Sequence, residues 1–162
     1  MSGERYAELA LVALRDALVA GIPAQLTALE SAQSLTAGSI ARPVDTVIGR
    51  VPYDNRAPLI AVFVEAMEPQ VQRNRTLHTE CQVAIQLLAQ SADAAGLAEL
   101  ELTGLRYFTA LLETIRLNPS LSSRAAGATL DSGDIAAAIA EQGDRSSTKL
   151  VIVSSITVRT QS

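Results

Sequence analysis

The chain has 162 residues, of which 48% are hydrophobic, 19% are charged and only 3% are aromatic. This length suits one compact domain with an aliphatic core, and the share of Leu, Ile and Val excludes a disordered chain. The formal net charge is −4, with one lysine and no basic run, whereas non-specific nucleic-acid binding needs clustered cations. No uninterrupted run of 18 apolar residues is present, so we expect no membrane span and no membrane partner.

Cysteine content and the first residues bear on localisation. Cys81 is the single cysteine and excludes an internal disulfide. Glu4 and Arg5 lie at the start, and Arg15 and Asp16 interrupt the apolar stretch that follows. This pattern is not typical of a secretory signal peptide, so we expect a product of the cytoplasm.

The first predicted element is an Ala- and Leu-rich helix over residues 4–20, ended by Gly21. Pro23 is suited to the first turn of a second helix, over 23–34. Most of the circumference of the first helix is apolar, which is more than packing on one sheet requires. We therefore expect a neighbouring subunit to cover part of it. The candidate contact ridge contains Leu11, Leu14 and Leu18.

Residues 36–58 show no helical pattern and contain several prolines and glycines. A short strand within 44–51 is compatible with the pattern. A connection of this length is uncommon in a small domain unless it has a function. Two interpretations stay open, a surface loop and an arm that reaches a partner.

Two strands are predicted next. Residues 59–66 are apolar on both faces, which indicates a central strand. Residues 76–88 alternate between apolar and polar side chains over about 12 positions, which is typical of a strand in an antiparallel sheet with one wet face. The polar face of this second strand is a candidate lumen or interface surface. It contains His78, Glu80, Gln82 and Gln86.

The last third of the chain begins with an amphipathic helix over 93–117, ended by Asn118-Pro119. Residues 135–140 fit either a strand or a helical turn, and 148–159 form a final strand. Segregated helices and strands predict an α+β fold. We expect one domain over 1–162, built as a two-layer sandwich of a mostly antiparallel sheet with helices packed on one face.

Few side chains are suited to catalysis. His78 and Glu80 share one strand face and could interact, but no nucleophile lies beside them, so a solvated or interface pair is the favoured interpretation. Cys81 lies on the apolar face and is expected to be a buried, inert thiol. The chain has no phosphate-binding loop and no nucleophile elbow. These patterns predict a protein that is not an enzyme and needs no cofactor.

Metal binding is disfavoured as well. A structural zinc site needs about four His or Cys ligands, and the chain has two such residues. Asp131, Asp134 and Asp144 lack the ligand pattern of a calcium loop. Since Asp, Ser and Gly favour turns, a turn is expected around Asp131–Asp134.

Arginines flank the central segment and are mixed with acidic residues, which argues against nucleic-acid binding. Arg and Tyr are enriched in protein interfaces, so a partner surface and an ordinary solvated surface both remain open. The candidate partner residues are Tyr53, Arg56, Arg73 and Arg75, with Arg42 and Arg50 nearby.

Taken in order, these features resemble the tail terminator proteins of long-tailed bacteriophages. The likeness rests on the opening helix, the turn-rich stretch Val51–Pro58 that leads into strand Leu59–Val64, the long alternating strand, and the helix ending at Asn118-Pro119-Ser120-Leu121 before a terminal strand pair. The resemblance covers most of the chain but is one of pattern and order.

The resemblance implies a non-enzymatic virion protein, assembled in the host cytoplasm. Such proteins form a ring, usually of six copies, that caps the tail tube, stops its growth and joins the tail to the head. The implied partners are other copies of the chain, the tail tube protein and neck or connector proteins. DNA would pass through the ring without specific binding, which the acidic balance suits. Two alternatives stay open, a neck or head-completion connector and a small α+β enzyme or ligand-binding module near His78 and Glu80.

Overall fold

A computed structural model describes residues 3–49, 58–71, 77–91, 97–118, 129–144 and 147–161. The fold is α+β, as predicted, with two helices and one sheet. The elements, in chain order, are α1 (Gly3–Ala32), β1 (Asp45–Ile48), β2 (Leu59–Val71), β3 (Leu77–Ser91), α2 (Leu97–Leu117), β4 (Thr129–Asp144) and β5 (Ser147–Gln161).

The strands form a mixed sheet in the order β1-β2-β3-β5-β4. β1 runs parallel to the beginning of β2, with Asp45 opposite Leu59 and Ile48 opposite Val62. The pairs β2–β3, β3–β5 and β5–β4 are antiparallel. The predicted strand within 44–51 is therefore present as β1, and the segment 135–140, which fitted a strand or a helical turn, is part of β4.

The register is interrupted at two points. In β2 it shifts between Val64 and Ala66, which leaves Glu65 as an extra residue opposite β3. In β4 it shifts between Asp131 and Ala136. The prediction of a turn around Asp131–Asp134 is wrong. These residues lie inside β4, at an irregularity of the register, and not in a turn between elements.

α1 is one continuous helix of 30 residues and not the predicted pair of helices. Its buried stripe, Leu14, Leu18, Ile22 and Leu26, continues through Gly21 and Pro23 at helical spacing. Burial of the stripe on both sides of the proline compensates for the missing backbone donor, so tertiary packing overrides the local helix-breaking signals.

The core lies between the helices and one face of the strands. Ile60 and Val62 of β2 share that face with Val83 and Ile85 of β3. They form one cluster with the α1 stripe and with residues of α2, namely Leu100, Tyr107, Ala110, Leu111 and Ile115. The cluster is aliphatic, as the composition predicted, with Tyr107 as its buried aromatic residue.

Gly21 lies where α1 crosses α2. A Cβ atom added there would lie 2.4 Å from Thr114 Cγ2 and 2.9 Å from Thr114 Oγ1. Thr114 is itself buried and donates a hydrogen bond to the Ala110 carbonyl oxygen, at 2.8 Å. The absence of a side chain at 21 therefore permits the close approach of the two helices, and Gly21 does not end α1.

We expect Gly21→Ala to destabilise the protein. Overpacking costs about 1–3 kcal/mol, against a gain in helix propensity of about 1 kcal/mol, so a net loss in the free energy of unfolding remains. Urea denaturation measures it. Adding Thr114→Ala removes both of the closest atoms, and the double variant is expected to recover most of the loss. A double variant no more stable than Gly21→Ala would contradict the steric explanation.

Candidate functional site

The most elaborate polar cluster in the described part of the chain surrounds Glu30, near the end of α1. Glu30 is only 2% exposed, and its carboxylate accepts four hydrogen bonds. The backbone N–H groups of Gly38 and Ile40 donate at 3.0 and 2.8 Å. The Arg42 guanidinium donates to both carboxylate oxygens, each at 2.9 Å. This bidentate pair binds the segment after α1 back onto the helix.

Three further hydrogen bonds fix the same segment. Arg42 also donates to Thr27 Oγ1 at 2.9 Å and to the Ile40 carbonyl oxygen at 2.7 Å. The Tyr107 hydroxyl of α2 donates a short hydrogen bond to the Ala41 carbonyl oxygen. We call residues Gly38–Gly49, which include β1, the edge strap, because they run from this cluster to the edge of the sheet.

The electrostatics follow from these contacts. Hydrogen bonds lower the pKa of Glu30 to about 2. Those from Arg42 have the largest effect, and those from the Gly38 and Ile40 N–H groups have the next largest. Burial raises the pKa of the Tyr107 phenol, although the Arg42 charge partly opposes this shift. Burial also raises the pKa of the Cys81 thiol. Near neutral pH Glu30 is therefore charged, while Tyr107 and Cys81 are protonated, which suits a structural cluster and an inert thiol.

A groove lies between α1 and the edge strap, with a volume of about 200 Å³. Its walls include Val19 and Pro23 on the helix and Pro43 and Val44 on the strap. Val19 is 52% exposed and Val44 is 56% exposed. The groove is shallow and mostly apolar, and it contains no pair of groups arranged for acid–base chemistry.

A second apolar surface lies on the outer half of β2, and we call Met67 and Val71 the hairpin strip. The register shift at Glu65 aligns Met67 with Cys81, so the strip lies on the helix-facing side of the sheet. Cys81 is buried, whereas Val71 is 76% exposed. The strip therefore extends the apolar face beyond the part that the helices cover.

The predicted contact ridge on α1 requires a correction. Leu14 and Leu18 are 1% and 0% exposed and belong to the chain's own core. Leu11 is half-buried and packs against that core. Leu14 and Leu18 are therefore covered by the chain's own core and leave no exposed surface for another subunit.

The other predicted site residues lie either on β3 or outside the described residues. His78 and Glu80 lie on β3, and the register sets Glu80 between Glu68 and Arg159. Gln82 is exposed, and Glu80 and Gln86 are half-buried. The side chain of His78 lies outside the described residues, as do Tyr53, Arg56, Arg73 and Arg75. The same strand face also carries Ala84 and Leu88, which are buried, so it is less polar than predicted.

The segment 36–58, for which a surface loop and an arm were both open, is anchored in its first half through Glu30, Arg42 and Tyr107. Its second half, residues 50–57, lies outside the described residues. Sequence reasoning missed the role of Glu30, although a signal exists. Glu30 continues the spacing of Ile22 and Leu26 on the buried stripe of α1, where a carboxylate requires a partner.

Among the residues whose side chains are described, no group of three or more His, Cys, Asp or Glu could hold a metal ion. Within α1, Glu8–Ala32 is long and apolar enough to cross a membrane, with a mean hydropathy of 1.5. Arg15 and Asp16 lie within this stretch, so it is not an uninterrupted apolar run. Packed core helices have the same composition, and the buried stripe of α1 packs on the sheet and α2.

No model of a known protein family matches the chain, and no curated protein sequence matches it.

Proposed function

We propose that this protein is a structural component of a bacteriophage virion, a tail terminator. It forms a ring, six copies in the form that the resemblance implies, that caps the tail tube, stops its elongation and joins the tail to the neck. DNA passes through without specific binding, and the protein catalyses no reaction. Its partners are other copies of itself, the tail tube protein and a neck or connector protein, first in the host cytoplasm and then in the virion.

The observation that carries this proposal is the order of elements. The resemblance rests on an opening helix, a segment leading into an apolar strand, a long alternating strand, an amphipathic helix and a terminal strand pair. The described elements occur in that order as α1, β1–β2, β3, α2 and β4–β5. The finer architecture proposed with it is a two-layer sandwich with both helices on one face. Its support is that core residues of both helices cluster with Ile60, Val62, Val83 and Ile85, which share one sheet face.

The surface of the subunit supports self-association. The hairpin strip and the groove are two separate surfaces of one chain that expose apolar side chains. Val71 lies nine residues beyond Val62, where β1 ends, a separation of about 30 Å along the strand. Contacts between different surfaces of neighbouring copies are heterologous, and such contacts generate closed rings when the rotation closes.

Negative-stain electron microscopy of the purified protein over a concentration series tests the proposal. Rings with a central hole near the width of duplex DNA are expected, alone or on added tail tubes. Rings that bind the end of a tail tube support a terminator, whereas rings that bind only the portal side support the alternative of a neck or head-completion connector. The absence of rings both with and without tubes would overturn both.

We expect Val71→Asp to prevent ring formation without unfolding the subunit. Val71 is exposed, so a charge there costs little in the monomer but would be buried against a neighbouring copy. Sedimentation velocity should show at least about a tenfold loss of association, the order expected for an important interface residue. The matched control is Leu105→Asp, at a half-exposed leucine of α2 outside both surfaces. Equal assembly by both variants would remove the hairpin strip from the interface.

A further inference from the structure

The outer edge of β2 is divided into two parts. From Leu59 to Val62 it is paired with β1. From Val64 to Val71, no strand of the described chain pairs along that side. Two hydrogen bonds mark the limits of the covered part, from Val44 N–H to the Pro58 carbonyl oxygen and from Gly49 N–H to the Val62 carbonyl oxygen, each 2.8 Å long.

The uncovered part carries features that oppose pairing with another strand. Glu65 interrupts the register, Glu68 adds a second exposed charge, and Pro69 has no backbone N–H to donate. Bulges, charges and prolines are the means by which natural sheets protect open edges. This half of the edge therefore needs no cover.

The covered part has none of these features. The covered residues 59–62 and the two that follow them, 63 and 64, read Leu-Ile-Ala-Val-Phe-Val, with no charge, proline or glycine. Six-residue segments of this kind, with high strand propensity, pair readily with copies of themselves once their edge is accessible. Since the backbone groups of Pro58 and Val62 are directed towards the edge strap, those of Ile60 between them share that direction. Removing the strap would expose them.

The edge strap buries little apolar surface. Of its twelve residues, all of them described, Ile40 alone is buried. β1 contributes four residues of pairing, and Gly38 and Gly49 near the two ends have positive φ values of 79° and 119°. The strap therefore depends on the Glu30–Arg42 pair and on the Tyr107 hydroxyl. Segments with little buried apolar area open before the rest of a fold.

We propose that the edge strap is a releasable cover, fastened by Arg42 on Glu30, that prevents residues 59–64 of one copy from pairing with the same residues of a second copy. Release of the strap exposes an unprotected strand edge whose best partner is the identical edge of another molecule, because the segment is self-complementary and uncharged. The inference does not depend on the phage assignment, since it concerns an edge present in the free subunit.

Hydrogen exchange read by mass spectrometry, together with thioflavin T fluorescence, tests this on the full chain. Arg42→Ala is expected to increase exchange at Thr46–Ile48 and at Ile60 and Val62 by at least about tenfold, while β3 and α2 exchange as in the parent protein. The same variant should associate faster, with thioflavin T binding that rises with concentration. In the associated state, Ile60 and Val62 should be protected again.

Two variants keep the test decisive. Arg106→Ala removes an arginine that donates to Glu99 of α2 at 3.0 Å and to Gln33 Oε1 at 3.3 Å, both outside the edge strap, and should change neither readout. Thr27→Ala removes one acceptor of Arg42 and leaves the Glu30 pair, so it should loosen the strap if Arg42→Ala unfolds the chain. Faster strap exchange without association, or association without faster strap exchange, would overturn the proposal. Ring formation by the parent protein is unaffected by either result.

Discussion

Replacing Leu18 with alanine is expected to lower the free energy of unfolding by about 2–5 kcal/mol. Leu18 is fully buried in the α1 stripe and belongs to the core cluster, where removing most of its side chain leaves a cavity that the surroundings fill only in part. Urea denaturation followed by circular dichroism measures the loss. The size of the effect distinguishes a core leucine from the subunit contact that the sequence suggested.

The matched control is Val19→Ala, at the next position of the same helix. Val19 is half-exposed in the groove, so its truncation should cost well under 1 kcal/mol in the monomer. If Leu18→Ala were no more destabilising than Val19→Ala, the placement of the α1 stripe in the chain's own core would be wrong. A loss of assembly with full monomer stability would restore Leu18 as an interface residue.

Replacing Glu30 with alanine is expected to increase the unfolding equilibrium constant by a factor of about 100 or more. The substitution leaves the Arg42 guanidinium without its carboxylate and the N–H groups of Gly38 and Ile40 without an acceptor. The control is Glu99→Ala, which removes an exposed carboxylate from Arg106 and should have little effect. Equal stability of the two variants would show that the cluster contributes no more than a surface ion pair.

The Glu30 cluster is also expected to make the stability of the protein depend on pH in the acid range. The pKa of Glu30 is about 2 in the folded protein, against about 4.5 for an unperturbed glutamate. The ionised Glu30 carboxylate therefore makes its full contribution to the free energy of unfolding above about pH 4.5. This contribution decreases as the pH falls towards 2, because in that range Glu30 takes up a proton only in the unfolded chain. Glu30→Gln should remove this part of the pH dependence. An unchanged slope in the variant would assign the acid sensitivity to other carboxylates.

The sequence alone determined the fold class and the existence of most elements. Three local patterns predicted elements that the structure contains. They are the alternation over 76–88 for β3, the continuous apolar run from Leu59 for β2 and the amphipathic stretch before Asn118-Pro119 for α2. A pattern of this kind is local, because each side chain reports its own face of a strand or helix. The aliphatic core and the burial of Cys81 followed from the same patterns.

Tertiary structure alone decided the continuity of α1 and the roles of Gly21, Leu18 and Glu30. Gly21 and Pro23 are stop signals by local chemistry, and only the contact with Thr114 and the burial of the surrounding stripe show why the helix continues. No local feature of a leucine on a largely apolar helix shows whether it packs in the core of its own chain or against a neighbouring copy. Glu30 pairs with Arg42, which lies 12 positions further along the chain, across a loop. Contacts between distant residues set these outcomes, and no periodicity within one element encodes them.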